Sequence, residues 1–355
     1  MTPSTMLIQM LRFGLFNGPE PTAVLSEDQW QSLLNDARQQ GVIAVFYHCV
    51  QQLSSAHRPP KSVLFHMASM ASDIEQSMQQ HHQALKHFAD RVEQQMHQPT
   101  VVVKGLSLAQ YYPHLYCRES GDNDLYFGAS AHVVDSLMRS CGIAVDDSDP
   151  RHSAFLFEGV PFENHAYLLY PNEEDDPNTI DPQWDTTPIE APLYTLVPEH
   201  LALFVVAHAD RHALYHNESL RLRDLLDWAL LLEHSGLDYH RFNQFKQSYD
   251  VGRLADLFTQ YVVAHFGITP PEGWQPLSVG CLQAFPQLYL TDHPRKTPAF
   301  MRVFDRSKRY IRYAGVYKEI YGETMFRRFY YRNVARAIGQ WAKQEKRHEG
   351  RERNQ

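Results

Sequence analysis

The sequence predicts an α+β protein, in which a small mixed-sheet core is flanked by helical N- and C-terminal regions. Three observations support this fold class. Strong helix formers dominate up to about residue 97, β-branched and aromatic runs alternate with amphipathic stretches between about 99 and 170, and helical periodicity returns after Val197. The predicted segments are an N-terminal helical region (1–98), a nucleus of strands and helices that forms the core (99–172), an acidic loop (173–195), a C-terminal helical region (196–345) and a disordered tail (346–355).

The N-terminal region is predicted to be a series of helices. Ser26 can cap a helix over EDQWQSLLNDARQQ, which Gly41 ends. A short buried helix is expected for VIAVFYHCVQQL. From Lys61 to Met96 the chain contains neither glycine nor proline, which indicates one long helix.

The core is predicted to run in the order strand, helix, strand, helix and hairpin. TVVVKG and DNDLYFG have the composition of strands, and LSLAQYY lies between them as a short helix. SAHVVDSLMRSCG is an amphipathic helix, and HSAFLFEGVPFENHAYLL forms two strands around a Glu-Gly turn. After the acidic loop, PEHLALFVVAHADRHALY and SLRLRDLLDWALLLEHSG are amphipathic helices.

The bulk composition is that of an ordinary globular chain, with 355 residues of which 43% are hydrophobic and 21% are charged. No run of about 18 apolar residues occurs, so no membrane-spanning helix is expected. The N-terminus lacks a basic leader before a long apolar stretch, so no signal peptide is expected either. The 4 cysteines form no CxxC pair, which is typical of reduced thiols. We therefore expect a cytoplasmic protein.

Two aspartates one residue apart are the main indication of chemistry. On a strand, Asp122 and Asp124 point to the same side, and such a pair of charges is tolerated when a divalent cation lies between them. Oxygen ligands of this kind suit Mg²⁺ or Mn²⁺. Glu163 on a following strand is the favoured third carboxylate, with Glu158 and Asp146 as alternatives. Three such carboxylates predict a two-metal phosphoryl or nucleotidyl transfer site.

The turn after the first predicted strand has features that suit a phosphate. Gly105 allows the backbone to approach an anion closely at the start of a helix. Lys104, directly before it, can pair with phosphate oxygens. The turn therefore favours a nucleoside triphosphate as the substrate of the carboxylate site.

These motifs resemble the DNA-polymerase-β-type nucleotidyltransferase superfamily. More narrowly, they are similar to the bacterial uncharacterised nucleotidyltransferase family, whose members share a Leu-Lys-Gly turn and an Arg-x-x-x-Asp-Ile-Asp-Leu motif. Here the two motifs are VVVKGLSLAQYY and RESGDNDLYF, and LRLRDLLDWALLL resembles the downstream helix of that family. The resemblance spans roughly residues 30–235. This chain departs from the pattern at Asn123, where an aliphatic residue is typical, and by lacking Gly-Ser or Gly-Gly in the turn.

The resemblance implies a nucleotidyltransferase core and a Mg²⁺- or Mn²⁺-dependent transfer of a nucleoside monophosphate from an NTP to an acceptor that the sequence does not identify. It implies that three carboxylates act in catalysis and hold metal, namely Asp122, Asp124 and Glu163. Further positions are expected to bind the nucleotide, namely Lys104, Gly105, Ser107, Arg118, His208 and His212. The competing interpretation is a protein that keeps the fold for binding or regulation and has lost turnover.

Several histidines recur on one face of a predicted helix, namely His200, His208, His212 and His216. Zinc binding is one interpretation of this spacing, but no HExxH pattern or cysteine partner supports it. We favour the interpretation that His208 and His212 line the cleft opposite the carboxylates. Arg223 and Asp227 lie four residues apart on the next helix and are expected to form a structural ion pair.

The charge of the chain is unevenly distributed. The net charge is -8, and from Arg302 onward the sequence contains 15 Lys/Arg and 6 Asp/Glu, a balance of +9 that leaves -17 for the rest. Arginines interleaved with aromatic residues suit RNA, and an RNA-modifying nucleotidyltransferase is a further alternative. A C-terminal helix with a solvated basic face suits the same pattern and is favoured here.

Overall fold

The structure is a computed structural model of the chain. It describes residues 4–149, 152–169, 183–211, 219–248, 251, 253–290, 311–323 and 326–327. The predicted disordered tail and most of the basic C-terminal segment lie outside these residues. No helix in the described part has the length and the apolar character that a membrane crossing requires.

The N-terminal region consists of helices, as the sequence predicts. They are α1 (Thr5–Leu15), α2 (Glu27–Gln39), α3 (Ile43–Gln51) and α4 (Lys61–Met96). The predicted cap of α2 is confirmed, because the Ser26 side chain accepts from the Gln29 N–H at 3.3 Å and Gln29 Oε1 accepts from the Ser26 N–H at 2.8 Å.

The centre of the molecule is a mixed sheet in the order β3-β4-β5-β2-β1-β7-β6. Its strands are β1 (Thr100–Val102), β2 (Asn123–Tyr126), β3 (Val145–Asp146), β4 (His152–Phe157), β5 (Val160–His165), β6 (Thr186–Glu190) and β7 (Leu193–Leu196). The pairs β2–β5 and β1–β7 are parallel, and the other pairs are antiparallel. The α+β class with a mixed-sheet core is therefore confirmed.

Part of the predicted acidic loop, residues 173–195, is instead a β-hairpin. β6 and most of β7 fall within it, and β7 pairs with β1 in the centre of the sheet. The hairpin turns at Ala191 and Pro192. The prolines of this segment are typical of a loop, although its strands contain β-branched and aromatic residues. Residues 173–182 lie outside the part of the chain that the structure describes.

One face of the sheet packs on the second half of α4 and on α6 (Ala131–Ser140), the helix that follows β2. The short helix α5 (Leu106–Ala109) lies between β1 and β2 along the chain. Phe88 of α4 lies at the centre of this layer. Its ring contacts those of Phe155, Phe157 and Phe162, with centroids 5.1–5.8 Å apart. This apolar layer leaves the opposite face of the sheet to carry polar side chains.

The C-terminal region is helical, with α7 (Pro198–Arg211), α8 (Leu222–His234), α9 (Tyr239–Ser248), α10 (Leu254–Phe266) and α11 (Val279–Phe285). A π-helical turn, Pro286–Leu290, follows α11, and residues 314–323 are helical. A large apolar cluster joins these helices to α1–α3 and to the β1 end of the sheet. The stacked rings of Phe16 and Phe266, 5.3 Å apart, illustrate the contact between the two helical regions.

Candidate active site

The carboxylates lie on the sheet face opposite α4. β2 and β5 are parallel neighbours, and their register pairs Asp124 directly with Glu163. Residues paired across neighbouring strands point to the same face, so these two carboxylates lie side by side. Asp122 precedes β2 by one residue and lies two positions from Asp124. The sheet register thus places two of the carboxylates that the sequence singled out, Asp124 and Glu163, beside each other.

His165 joins the carboxylates through its ring. Its Nε2 donates to Asp124 Oδ1 at 3.2 Å and lies 3.6 Å from Glu163 Oε2. Ligand atoms of these three residues all lie within 4.8 Å of one another. The sequence places His165 two positions after Glu163 and therefore on the same strand face, a signal that could have assigned it to the site.

Burial and the neighbouring charges shift the pKa values of the three carboxylates in different directions. Burial, together with the negative charge of Asp124, raises the pKa of Asp122. Burial alone would also raise the pKa of Asp124, but Lys104 and the hydrogen bond from His165 hold it well below its ordinary value. Burial and the charges of Asp124 and Asp122 raise the pKa of Glu163 to about 7. Asp124 is thus the anion of the site, and Glu163 is poised between its two protonation states near neutral pH.

The chemistry of the site suits a divalent cation. Asp124 Oδ2 is buried and has no hydrogen-bond partner among the described residues. A buried carboxylate oxygen of this kind is costly unless a cation or water satisfies it. Clustered carboxylate oxygens are the ligands that Mg²⁺ and Mn²⁺ prefer. The residues present therefore fit such an ion.

Asn123, between the two aspartates, belongs to the other face of the sheet. It is buried, and its Nδ2 donates to the His81 carbonyl of α4 at 3.4 Å. Its cross-strand partner is Phe162, which packs in the apolar layer under the sheet. The asparagine therefore occupies the position expected of an aliphatic core residue and does not reach the carboxylate face.

The predicted phosphate turn follows β1 directly. Gly105 has φ +61° and ψ -110°, a conformation that favours glycine, and it precedes the four-residue helix α5. An added Cβ there would lie 3.6 Å from the Asp122 carbonyl oxygen, so the turn and the carboxylate strand are adjacent. Ser107 is fully buried, and its Oγ has no hydrogen-bond partner among the described residues. Ser107 is also not among the residues that line the neighbouring cleft, whereas the sequence suggested a nucleotide contact.

A cleft lies between the sheet and the helices α7 and α8. Its cavity has a volume of about 270 Å³. Three aspartates line it, namely Asp122, Asp224 and Asp227, together with four basic side chains, namely Lys104, His208, Arg221 and Arg223. The structure thus places two of the predicted nucleotide-binding residues, Lys104 and His208, at the cleft and adds two arginines. His212 and His216 lie outside the described residues.

Arg118 does not face this cleft as a free cation. Its Nε and Nη2 donate to the two oxygens of Asp227 at 2.8 and 2.7 Å, and Tyr112 also donates to Asp227 at 2.7 Å. The Arg118 side chain is fully buried. This bidentate pair links the residues before β2 to α8, which gives Arg118 a structural role in place of the predicted phosphate contact. The expected pair of Arg223 with Asp227 is also wrong, because Arg118 takes that partner.

Arg223 is positioned by contacts that the sequence could not indicate. Its Nη1 donates to the Glu119 carbonyl at 3.0 Å. The Glu119 side chain in turn accepts from the Ile43 N–H at 2.7 Å, and the Leu222 N–H donates to Gln40 Oε1 at 2.8 Å. The start of α8 is thus tied to the N-terminal helices and to the chain before β2. These bonds hold Arg223 at the edge of the cleft.

Glu158 and Asp146, the alternatives for the third carboxylate, do not pair with Asp124 across neighbouring strands. Glu158 is on the turn between β4 and β5, where it forms an exposed ion pair with His87 at 2.9 Å. Asp146 lies on the edge strand β3 and accepts from the Ser148 N–H at 3.0 Å. His200 is likewise a structural residue, since its Nδ1 accepts from the Asp185 N–H at 2.8 Å.

Comparison with known proteins identifies the family of the chain. No curated protein and no solved structure matched the chain in these comparisons. The profile of a family described as uncharacterised nucleotidyltransferases matches residues 26–267, which is more than half of the chain and includes the sheet, the carboxylates and the cleft. Membership of the polymerase-β-type superfamily stays a prediction, but the narrower family is confirmed and its general role is nucleotidyl transfer: the chain belongs to the uncharacterised nucleotidyltransferase family.

Proposed function

We propose that this protein transfers a nucleoside monophosphate from an NTP to an acceptor hydroxyl and releases pyrophosphate, with Mg²⁺ or Mn²⁺ as cofactor. The observation that carries the proposal is the parallel register of β2 and β5, which places Glu163 beside Asp124. Family membership supports the same reaction class. The buried free thiols Cys49, Cys117 and Cys281 suit a reducing compartment such as the cytoplasm.

Asp122, Asp124 and Glu163 would hold the divalent cations. The bound cations would neutralise phosphate charge and make the acceptor oxygen more acidic. The basic side chains of the cleft, Lys104, His208, Arg221 and Arg223, would bind the phosphates through charge-assisted hydrogen bonds. Gly105 would let the backbone approach the triphosphate beside Asp122.

The chemical step would be an in-line displacement at the α-phosphorus. The acceptor oxygen forms a bond to phosphorus, and the bond from phosphorus to the β-phosphate oxygen breaks with its electron pair leaving on pyrophosphate. The hydroxyl proton passes to water.

The competing interpretation of a binding protein without turnover predicts that one carboxylate points away from the others. The pairing of Asp124 with Glu163 supports the catalytic interpretation instead. An RNA acceptor would engage the basic C-terminal segment, most of which lies outside the described residues.

A thermal-shift screen of the four NTPs, each with Mg²⁺ or Mn²⁺, tests the proposal. We expect at least one nucleotide to raise the Tm of the wild type in a metal-dependent manner. Asp122→Ala/Asp124→Ala should lose this shift, whereas Asp28→Ala, an exposed position on α2, should keep it. A wild type that no metal–nucleotide combination stabilises would overturn the proposal.

A further inference from the structure

A second depression adjoins the carboxylates on the β5, β4 and β3 side of β2, whereas the cleft lies on the β1 side. It has a volume of about 550 Å³ and lies where β2 and β5 begin and β4 ends. Asp122 lines both the cleft and this depression, and Glu163 lines the depression. The carboxylates thus separate two cavities that open onto one site.

The two cavities differ in charge. The cleft is lined by bases as well as acids, namely Lys104, His208, Arg221 and Arg223 together with Asp122, Asp224 and Asp227. The depression is lined by Asp122, Glu163 and Asp146, and its described lining residues include no lysine, arginine or histidine. A triphosphate is favoured in the basic cleft, and a second anion is disfavoured in the depression.

The wall of the depression is largely apolar. Leu156 is 62% exposed at the end of β4, and it pairs with Pro161 at the start of β5. Both residues lie on the sheet face that carries Glu163, because Ala154 pairs with Glu163 and lies two positions before Leu156. A leucine exposed beside catalytic carboxylates is a surface that an apolar substrate group would cover.

We propose that this depression binds the acceptor, and that the acceptor is a hydroxyl compound with an apolar body and a neutral or cationic charge. This inference rests on the proposed nucleotidyl transfer. In-line displacement requires the attacking oxygen and the leaving pyrophosphate to lie on opposite sides of the α-phosphorus. Cavities on opposite sides of Asp122 meet this requirement, with pyrophosphate on the basic side and the acceptor beside Glu163.

Three probes with one 4-hydroxyphenyl body test the inference, namely tyramine as cation, tyrosol as neutral compound and 4-hydroxyphenylacetate as anion. Each is titrated calorimetrically into the wild type with Mg²⁺. We expect tyramine and tyrosol to bind, and the anion to bind more weakly by about tenfold or more. Asp146→Lys should reduce or reverse this charge preference, because it replaces an acid of the lining with a base. Leu156→Asp should weaken tyrosol binding.

Phe65→Asp is the matched control, since Phe65 is an apolar side chain that is 74% exposed on α4, away from the depression. It should leave probe binding unchanged. The inference is overturned if no probe binds the wild type, if the anion binds as well as the cation, or if Leu156→Asp binds tyrosol like the wild type.

Titration of the same proteins with the Mg²⁺–NTP complexes separates the two proposals. Asp146→Lys and Leu156→Asp should bind nucleotide like the wild type, because both residues lie outside the basic cleft. Nucleotide binding without the expected probe selectivity refutes the acceptor site alone. A wild type that binds no nucleotide refutes the transfer reaction, while the probe titrations still decide what the depression binds.

Discussion

Breaking the buried pair of Arg118 and Asp227 should destabilise the protein more than breaking an exposed ion pair of similar geometry. Asp227→Ala would leave the Arg118 guanidinium buried without its counter-charge and the Tyr112 hydroxyl without its acceptor. Loss of one partner of a buried pair costs about 3–5 kcal/mol, and an unsatisfied buried hydroxyl costs about 1–3 kcal/mol. Both groups bond one carboxylate, so the costs overlap, and we expect a total loss of about 4 kcal/mol.

Urea unfolding followed by circular dichroism measures this loss. The matched control is Asp147→Ala, because Asp147 pairs with Arg139 at the same 2.7 Å distance but with side chains 68% and 44% exposed. That substitution should change the free energy of unfolding by less than about 1 kcal/mol. If Asp227→Ala costs no more than Asp147→Ala, the structural role given to the buried pair is refuted.

Three further predictions concern the metal site, the turn and the core. Below pH 7 a proton on Glu163 competes with the metal. The Mn²⁺ affinity, measured by calorimetry, should therefore rise about tenfold per pH unit up to about pH 7 and then level off. Glu163→Gln should remove this pH dependence. Gly105→Ala should lower the free energy of unfolding by about 1–3 kcal/mol through backbone strain, whereas Gly121→Ala, with nothing within 4 Å of an added Cβ, should not. Phe88→Ala should cost about 3–5 kcal/mol in urea unfolding, whereas Phe65→Ala on the same helix should stay within about 0.5 kcal/mol. A pH-independent Mn²⁺ affinity, or equal stabilities within either pair of variants, would contradict the corresponding prediction.

The features that local sequence determines were predictable. Ser26 and Gln29 form a capping box within one turn, and the sequence indicated a capped helix there. The D-x-D spacing predicted Asp122 and Asp124 on one strand face, and the structure places Asp124 on β2 and Asp122 one residue before it. Short-range periodicity thus identified α2, the strands β1, β2, β4 and β5, and the position of Asp124 on β2.

The features that depend on distant residues were not predictable. The Arg118–Asp227 pair joins residues 109 positions apart, so helical spacing pointed to Arg223 as the partner instead. The side-by-side placement of Glu163 depends on the parallel register of β2 and β5, which local patterns do not encode. Composition also misled, because the acidic and proline-rich stretch before Val197 contains β6 and most of β7.

The central claim is that clustered carboxylates hold the metal on which nucleotide binding depends. Calorimetric titration of Mn²⁺ in the presence of an NTP tests it most directly, on the wild type, Asp124→Asn and the control Asp28→Asn, which changes an exposed residue of α2. The account predicts nucleotide-dependent Mn²⁺ binding by the wild type and by Asp28→Asn. Asp124→Asn should lose this binding, because the substitution removes the buried carboxylate whose Oδ2 has no hydrogen-bond partner among the described residues. Equal Mn²⁺ binding by all three proteins would contradict it.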